Sequence, residues 1–400
     1  MGVPRPAFHL GSVGRLVSAS SPRRPPRAET VGSLLRPAKL KAAVEAFYAG
    51  GHSAVLAEER AKDRSALRAL EDEAIVEAVR RQIDAGLDVV TDGEFRRWMF
   101  LNSFYDAVEG FRTDNIVHFR NARGEDVPLA VHEIVARLQP VDSPAAREAG
   151  FLAKATSGYP FKVTFPAASI FGHPFTYKVG VTDRGYESLD EFVAHAIEIE
   201  RTLVADAIAA GTGYVQFDFP LYPYLVDPAW RQRFEAHGHR VDDLVEKAIA
   251  ADTAVLEGIP DEVTVGLHVC RGNYRSSWMC EGSLEAVAER VFGGLPYDAF
   301  LVEWDDPGRD GGFWPVRFLR KGSVMVMGLV STKTDALEEE DDVVRKLDEA
   351  AELAGGLERL ALSPQCGFAS VMVGNDIDEA VQWRKLELVG RVAERVWGRG

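Results

Sequence analysis

Four hundred residues with 46% hydrophobic side chains can bury a large core, either as one big α/β domain or as two ordinary ones. The 61 acidic residues against 46 basic ones leave a net charge of -15, which argues against nucleic acid and against an anionic membrane surface as partners. Three cysteines cannot build a disulfide framework in a chain this long, so a reducing, cytoplasmic setting with free thiols is expected, and no apolar run approaches the ~20 residues of a membrane span.

Residues 1–26 carry Arg5, Arg15, Arg23 and Arg24 with several Pro and Ser and no acidic residue, and are expected to be a disordered, arginine-rich head. A transit-like targeting peptide has this composition, and so does an over-long start; the plainer second reading is preferred. Residues 27–400 are read as one catalytic domain. Within it, short apolar runs alternate with longer helical patterns, the signature of a parallel sheet covered by helices. The strand candidates, in order, are Ala28 to Gly32, Leu87 to Thr91, Phe161 to Phe165, Tyr214 to Phe217, Val263 to Val269, Ala299 to Val302, Ser323 to Leu329 and Arg359 to Leu362. The helical stretches are Ala54 to Ala85, Leu189 to Ala210, Val241 to Glu257, Leu284 to Phe292, Glu338 to Ala354 and Ile377 to Trp397, with apolar residues at spacings of three and four. Eight strands is the closed-barrel number, so the predicted fold is α/β, a (β/α)8 TIM barrel. Between the second and third strands, Phe95 to Tyr159 reads as an excursion made of a hairpin and an extra helix.

Barrel enzymes place their working residues just after the strands. Those ends read Gly32-Ser33, Asp92-Gly93-Glu94, Pro166, Asp218, His268 with Cys270, Glu303 with Asp305, Ser331 with Lys333, and Cys366. An open doubly wound sheet would instead carry a glycine-rich phosphate loop after its first strand, and Gly32-Ser33-Leu34-Leu35-Arg36-Pro37 is no such loop.

His268 and Cys270 share one strand face two residues apart, and soft thiolate with imidazole is a zinc preference. Singly, a strand histidine is more often a hydrogen-bonded core residue and a buried cysteine a small hydrophobe. A closed barrel would bring these ends together with Cys366 after the eighth strand and Glu303 after the sixth, so a zinc site of His268, Cys270, Glu303 and Cys366 is predicted, with Cys280 structural. Two thiolates make such a site electron-rich, better suited to ionising a thiol substrate than to acidifying water. A purely structural zinc is the rival, although structural sites favour closely spaced cysteine pairs on loops.

Six segments then resemble a known family in order along the chain: Val31-Gly32-Ser33-Leu34-Leu35-Arg36-Pro37, Asp92-Gly93-Glu94-Phe95-Arg96, Gln216-Phe217-Asp218, His268-Val269-Cys270-Arg271-Gly272-Asn273, Leu301-Val302-Glu303-Trp304-Asp305, and Leu360 to Ser370 with Cys366 inside it. The chain resembles the cobalamin-independent methionine synthases, in the shorter single-barrel form similar to their C-terminal catalytic half. The resemblance implies methyl transfer to a small-molecule thiol, homocysteine in the family, from a folate or a methyl-corrinoid protein, at zinc held by His268, Cys270, Glu303 and Cys366. It also implies that Gly32 and Ser33 hold the amino-acid carboxylate, that Asp218 pairs with the ammonium, and that Glu94 belongs to the substrate site. The plainer readings are Ser33 as a helix cap, Asp218 as an ordinary loop anion and Glu94 paired with Arg96 or Arg97. The chain departs from the long synthases at Phe219, where they have an acid, near Leu101 and Ala168, where they have a carboxylate and a pterin-stacking tryptophan, and at Lys333, near their histidine proton donor. Lys333 is the candidate general acid, with a solvated lysine as the alternative. Thiol alkylation by an epoxide, as in the related epoxyalkane:coenzyme M transferases, and a zinc hydrolase or lyase on the same barrel are the competing functions.

Overall fold

The computed structural model describes residues 26–48, 63–120, 124 and 126–398, so the arginine-rich head at 1–25 and the start of the first predicted long helix, at 54–62, lie outside the described residues. Two long strands come first, β1 (Val108–Arg120) and β2 (Asp126–Pro140), paired antiparallel as the expected hairpin. The extra helix follows at Pro144–Ala155. The six strands after it, β3 (Val163–Pro166), β4 (Tyr214–Asp218), β5 (Thr264–Val269), β6 (Ala299–Glu303), β7 (Val324–Val330) and β8 (Leu360–Pro364), form one parallel sheet in chain order. Apart from Thr264 every residue in these six strands is buried, the pattern of a parallel sheet covered on both faces.

The connecting helices form where apolar residues recur at helical spacing and where the ends are capped. Leu189–Ala209 buries Phe192, Ala196, Leu203 and Ala207 on one face, and the Ser188 hydroxyl accepts the Glu191 amide at its start. Glu340–Ala354 begins on three acidic residues, where the helix dipole favours them, and ends at Gly355 in a left-handed conformation. The acidic run at 338–342 thus spans the start of this helix.

The first two predicted strands differ from expectation. Instead of ladders they make single parallel bridges, Ala28 to Leu362, Glu29 to Val89 and Val90 to Phe161. Side chains have taken over the backbone groups a longer ladder would use: the Asp88 carboxylate accepts the amides of Arg27 and Ala28, and the Gln82 amide both donates to and accepts from the backbone of Thr91. These bridges link β8, through residues 28–29 and 89–90, to Phe161 just before β3.

Inside the sheet, Val31, Ala299, Leu301, Val324, Val326 and Ala361 form their own apolar cluster. Beside it runs a polar thread: the buried Lys162 ammonium pairs with Glu29 and donates to Gln216, whose own amide donates to Asp218 at 2.6 Å. The register sets Asp218 beside His268, and Glu303 beside Gly328. The strand ends thus arrive together carrying their chemistry.

Candidate functional site

His268 lies near the end of β5, and its Nδ1 donates to the Leu301 carbonyl of β6 at 3.3 Å. That contact fixes the tautomer and leaves Nε2 available; Nε2 is buried and makes no hydrogen bond. Cys270 follows one residue past the strand and accepts the Gly272 amide at 3.1 Å. Cys366, beyond β8, brings its Sγ to 3.2 Å from that of Cys270. One donor atom from each of the three residues lies within 4.8 Å of the other two, all three side chains are buried, and the cysteines are free. Burial pushes the Cys270 thiol well above its usual range, whereas Cys270's hydrogen bond, aided by His268 and opposed by burial, draws Cys366 well below it. An imidazole nitrogen with nothing to bond and two converging sulfurs make a donor set that fits zinc.

Glu303, expected as a fourth ligand, ends β6 with Oε1 3.4 Å from the Cys270 sulfur. It stands outside the tight group of three. Its Oε2 makes no hydrogen bond and faces two cations, Arg309 at 3.4 Å and Lys333 at 3.7 Å. Burial lifts its carboxyl to about 7 against the pull of those cations. Lys333 is no solvated lysine: it is buried and its ammonium donates to Gln365 at 2.7 Å.

Of the predicted substrate residues, Ser33, Glu94 and Asp218 line one cavity together with the sulfurs. Asp218 accepts from Gln216 and is lifted by burial to about 7, the nearby His268 pulling the other way. Glu94 accepts from the Thr164 hydroxyl at 2.7 Å and lies 3.6 Å from the Arg97 guanidinium, while burial raises its carboxyl. The pairing with Arg97 anticipated from sequence is therefore present, at ion-pair distance, and Arg96 turns instead to Glu71 and Asp72. The Ser33 hydroxyl accepts the amide of Ala369. Gly32 keeps close company with Glu94, since a Cβ there would fall 2.6 Å from Glu94 Oε1.

A cavity of about 330 Å³ opens above the sulfurs, lined by Ser33, Glu94, Asp218, His268, Cys270 and Cys366 at one end. Gly32, Glu303 and Lys333 are not among its lining residues. Its far wall is aromatic: Phe100, Phe219, Tyr224 and Trp230 run in successive edge-on contacts at 5.9, 5.5 and 4.8 Å. His132 and Glu133 of β2 complete it, so the hairpin excursion supplies part of the wall. A larger cavity of about 1370 Å³ opens at the opposite strand ends, beside Glu29, Thr264 and Asp298, and holds none of the sulfurs.

Sequence reasoning missed several residues here. Gln216 had a signal, since it shares a strand face with Asp218. Thr164 had none, and neither did the pairing of Arg97 with Glu148, because these partners lie on elements distant in the chain; Arg309, close in sequence to Glu303, Asp305 and Asp310, had a signal that went unused. Glu94 and Phe219 adopt left-handed backbone conformations, φ 56° and 60°, which for side chains of this size mark local strain at both strand ends.

No family model matches the chain. It is 34% identical over 394 residues to the uncharacterized protein YxjH of Bacillus subtilis strain 168, covering 94% of this chain and 96% of that protein. It is 33% identical over 389 residues to YxjG of the same organism, with the same coverage. Among solved structures it is similar to a Listeria monocytogenes protein assigned as a vitamin-B12-independent methionine synthase, with TM-score 0.68, 26% identity and coverage of 93% of this chain and 98% of that one. A B12-independent methionine synthase of Shewanella sp. W3-18-1, solved in complex with selenomethionine, shares the fold with TM-score 0.66 and 19% identity over 92% of this chain and 97% of that one.

Proposed function

The chain belongs to one family with YxjH and YxjG and is similar in structure to cobalamin-independent methionine synthases, and from that likeness we propose that it is a zinc-dependent methyltransferase carrying a methyl group onto homocysteine to give methionine. The observation that carries the reading is the meeting of His268, Cys270 and Cys366, at the floor of a cavity that also holds two buried carboxylates. We read the fold as a closed (β/α)8 barrel in which the six-stranded sheet is completed by the bridged segments at residues 28–29 and 89–90.

Zinc held by the two thiolates and the imidazole would supply a Lewis acid that keeps an incoming thiol ionised near neutral pH. The rest falls to the chain's own side chains. Asp218 and Glu94 line the cavity and present negative charge to the homocysteine ammonium, which compensates the burial of both carboxylates. The Ser33 hydroxyl, with its oxygen already accepting from Ala369, keeps its proton free to donate to the substrate carboxylate, and Gly32 leaves room for Glu94 beneath it. The aromatic wall excludes water from the sulfur and accepts the apolar body of a methyl donor, of which a folate or a methyl-corrinoid are the candidates. That the Shewanella enzyme was solved with selenomethionine, the selenium counterpart of the expected product, supports this choice of amino acid.

Metal analysis of the purified chain tests the reading: about one zinc per chain is expected, lost in Cys270→Ser and Cys366→Ser. Methionine formation is then followed with folate mono- and polyglutamates and with methylcobalamin as donors. Zinc retained by both serine variants, or a thiol consumed only with an epoxide, rules the proposal out.

A further inference from the structure

The aromatic wall of the cavity over the sulfurs is shaped as a box and not as a platform. Phe100, Phe219, Tyr224 and Trp230 line it, and each ring stands steeply against the next, at 89°, 67° and 89°. Crossed rings turn several π faces and edges on one small volume, whereas a flat heterocycle stacks on a ring lying parallel to it. Boxes of this kind recognise methylated onium ions, whose spread positive charge is drawn to the ring quadrupoles without a hydrogen bond. Resting on the methyl-transfer reading above and naming its donor, we propose that the methyl group comes from a small onium compound, a sulfonium or a quaternary ammonium. Its cationic centre sits in the corner made by Phe100, Phe219 and Tyr224.

The outer ring, Trp230, already carries a cation, the Arg233 guanidinium at 5.0 Å, while no lysine or arginine lies over the three inner rings among the described residues. Phe219 is tied to the sulfur end. It follows Asp218, its amide donates to the His268 carbonyl at 3.0 Å, and its left-handed backbone, φ 60°, is strain kept where the ring enters the cavity. Glu94 and Asp218 add negative charge at that end, and the wall's Lys178 is offset by its pairing with Glu133 at 2.7 Å. At about 330 Å³ the cavity is at the small end for ligand pockets and admits the amino acid as well, which favours a compact donor over a folate or a corrinoid.

The chemistry suits the wall as built. The thiolate sulfur attacks one methyl carbon of the onium; the new S–C bond forms as the old C–S or C–N bond breaks. The electron pair of that bond stays on the leaving atom, which departs as a neutral thioether or tertiary amine. The one proton released is that of the homocysteine thiol, lost on ionisation. A folate nitrogen needs a proton to leave, and Lys333, the general acid expected from the sequence, does not line the cavity.

Zinc-loaded full-length protein is titrated calorimetrically, without homocysteine, with dimethylsulfonioacetate, with trimethylammonioacetate, and with tert-butylacetic acid, the uncharged-headed carbon isostere of the second. Both onium probes are expected to bind about tenfold more tightly than the isostere. Phe219→Leu keeps an apolar side chain and removes the π face, so it should weaken the onium probes about five- to tenfold and leave the isostere within about twofold. Phe100→Leu repeats the comparison should the Phe219 variant fold poorly. With homocysteine added, labelled methionine is expected from a methyl-labelled onium, and whichever of the two transfers its label identifies the leaving atom. Onium and isostere bound alike, or weakened alike by Phe219→Leu, overturns the onium donor. Methionine formed from methylfolate or methylcobalamin but from neither onium also overturns it, and leaves the methyl-transfer reading standing; methionine from no donor overturns that reading and the onium donor with it.

Discussion

Replacing Lys162 with Met tests the polar thread that runs from the sheet interior to the Asp218 carboxylate. The Lys162 ammonium is buried, pairs with Glu29 and donates to the Gln216 carbonyl oxygen at 2.6 Å; Gln216 in turn donates to Asp218 at 2.6 Å and to the Val31 carbonyl at 2.8 Å. Met preserves the length of the side chain and removes its charge, which leaves the Glu29 carboxylate buried and uncompensated. Deleting one partner of a buried pair costs about 3–5 kcal/mol. With unfolding entropy near 2.1 cal/mol/K per residue, a chain of this length has about 0.8 kcal/mol/K, so the melting temperature should fall by about 4–6 °C. Calorimetry of Lys162→Met against Glu29→Leu/Lys162→Met reads the pair directly, because removing both charges together is expected to restore most of the loss. Kinetics reads the other end of the thread. Without its donor, the Gln216 amide is free to turn its oxygen toward Asp218, so KM for homocysteine should rise while kcat holds. A single variant that melts within about 1 °C of the parent, or a double variant no better than the single, refutes the argument.

Asp252 accepts the Ser169 amide and the Tyr222 hydroxyl, and its burial raises its carboxyl from 3.8 to about 6. A raised folded-state value means that the stability tied to this group is fully present below about pH 4 and is lost as pH rises through 6, to about 3 kcal/mol by pH 8. Asp252→Asn should therefore gain in melting temperature relative to the parent as pH climbs from 4 to 7; a difference independent of pH would falsify the assignment. At Gly32, an added Cβ would meet Glu94 Oε1 at 2.6 Å, and Thr164 and Arg97 restrict where that carboxylate can go. Gly32→Ala should raise KM for homocysteine about tenfold, equivalent to about 1.4 kcal/mol, with little change in melting temperature; the reverse pattern would make the glycine structural.

The parts of this molecule legible in its sequence were those written in local pattern. The six apolar runs from Phe161 onward became β3 to β8 within one or two residues, because a parallel strand buried on both faces needs a continuous apolar segment. The sulfurs and imidazole were legible because few residue types bind zinc and all three stood at strand ends. Pairings made across the chain were not. Nothing near Lys333 indicates that Glu303, thirty residues earlier, draws it into the interior, and nothing near Arg97 announces Glu148, to which it makes two hydrogen bonds. The first two strands were overestimated for a related reason: their apolar pattern is right, but Asp88 and Gln82 divert their backbone partners.

The spacing of the sulfurs has a mechanical consequence. β5 and β8 are three strand steps apart, which in a flat sheet would separate them by about 14 Å at about 4.8 Å per step. Cys270 and Cys366 nevertheless bring their sulfurs to 3.2 Å, so the sheet must curl until its far strands face each other across the interior. A metal bound there ties β5 to β8 directly and acts as a clasp on that curvature, present in the folded chain and absent from any state in which the strands separate. Zinc at a thousand times its dissociation constant should then stabilise the fold by about 4 kcal/mol, or about 5 °C by the entropy used for Lys162. The comparison is the melting temperature of chelator-treated and zinc-restored protein, repeated with Cys366→Ser, which removes one side of the clasp and should make the two preparations melt together. If stripping the metal leaves the melting temperature of the parent unmoved, the sulfurs converge without holding the sheet curved, and the curvature belongs to the apolar core alone.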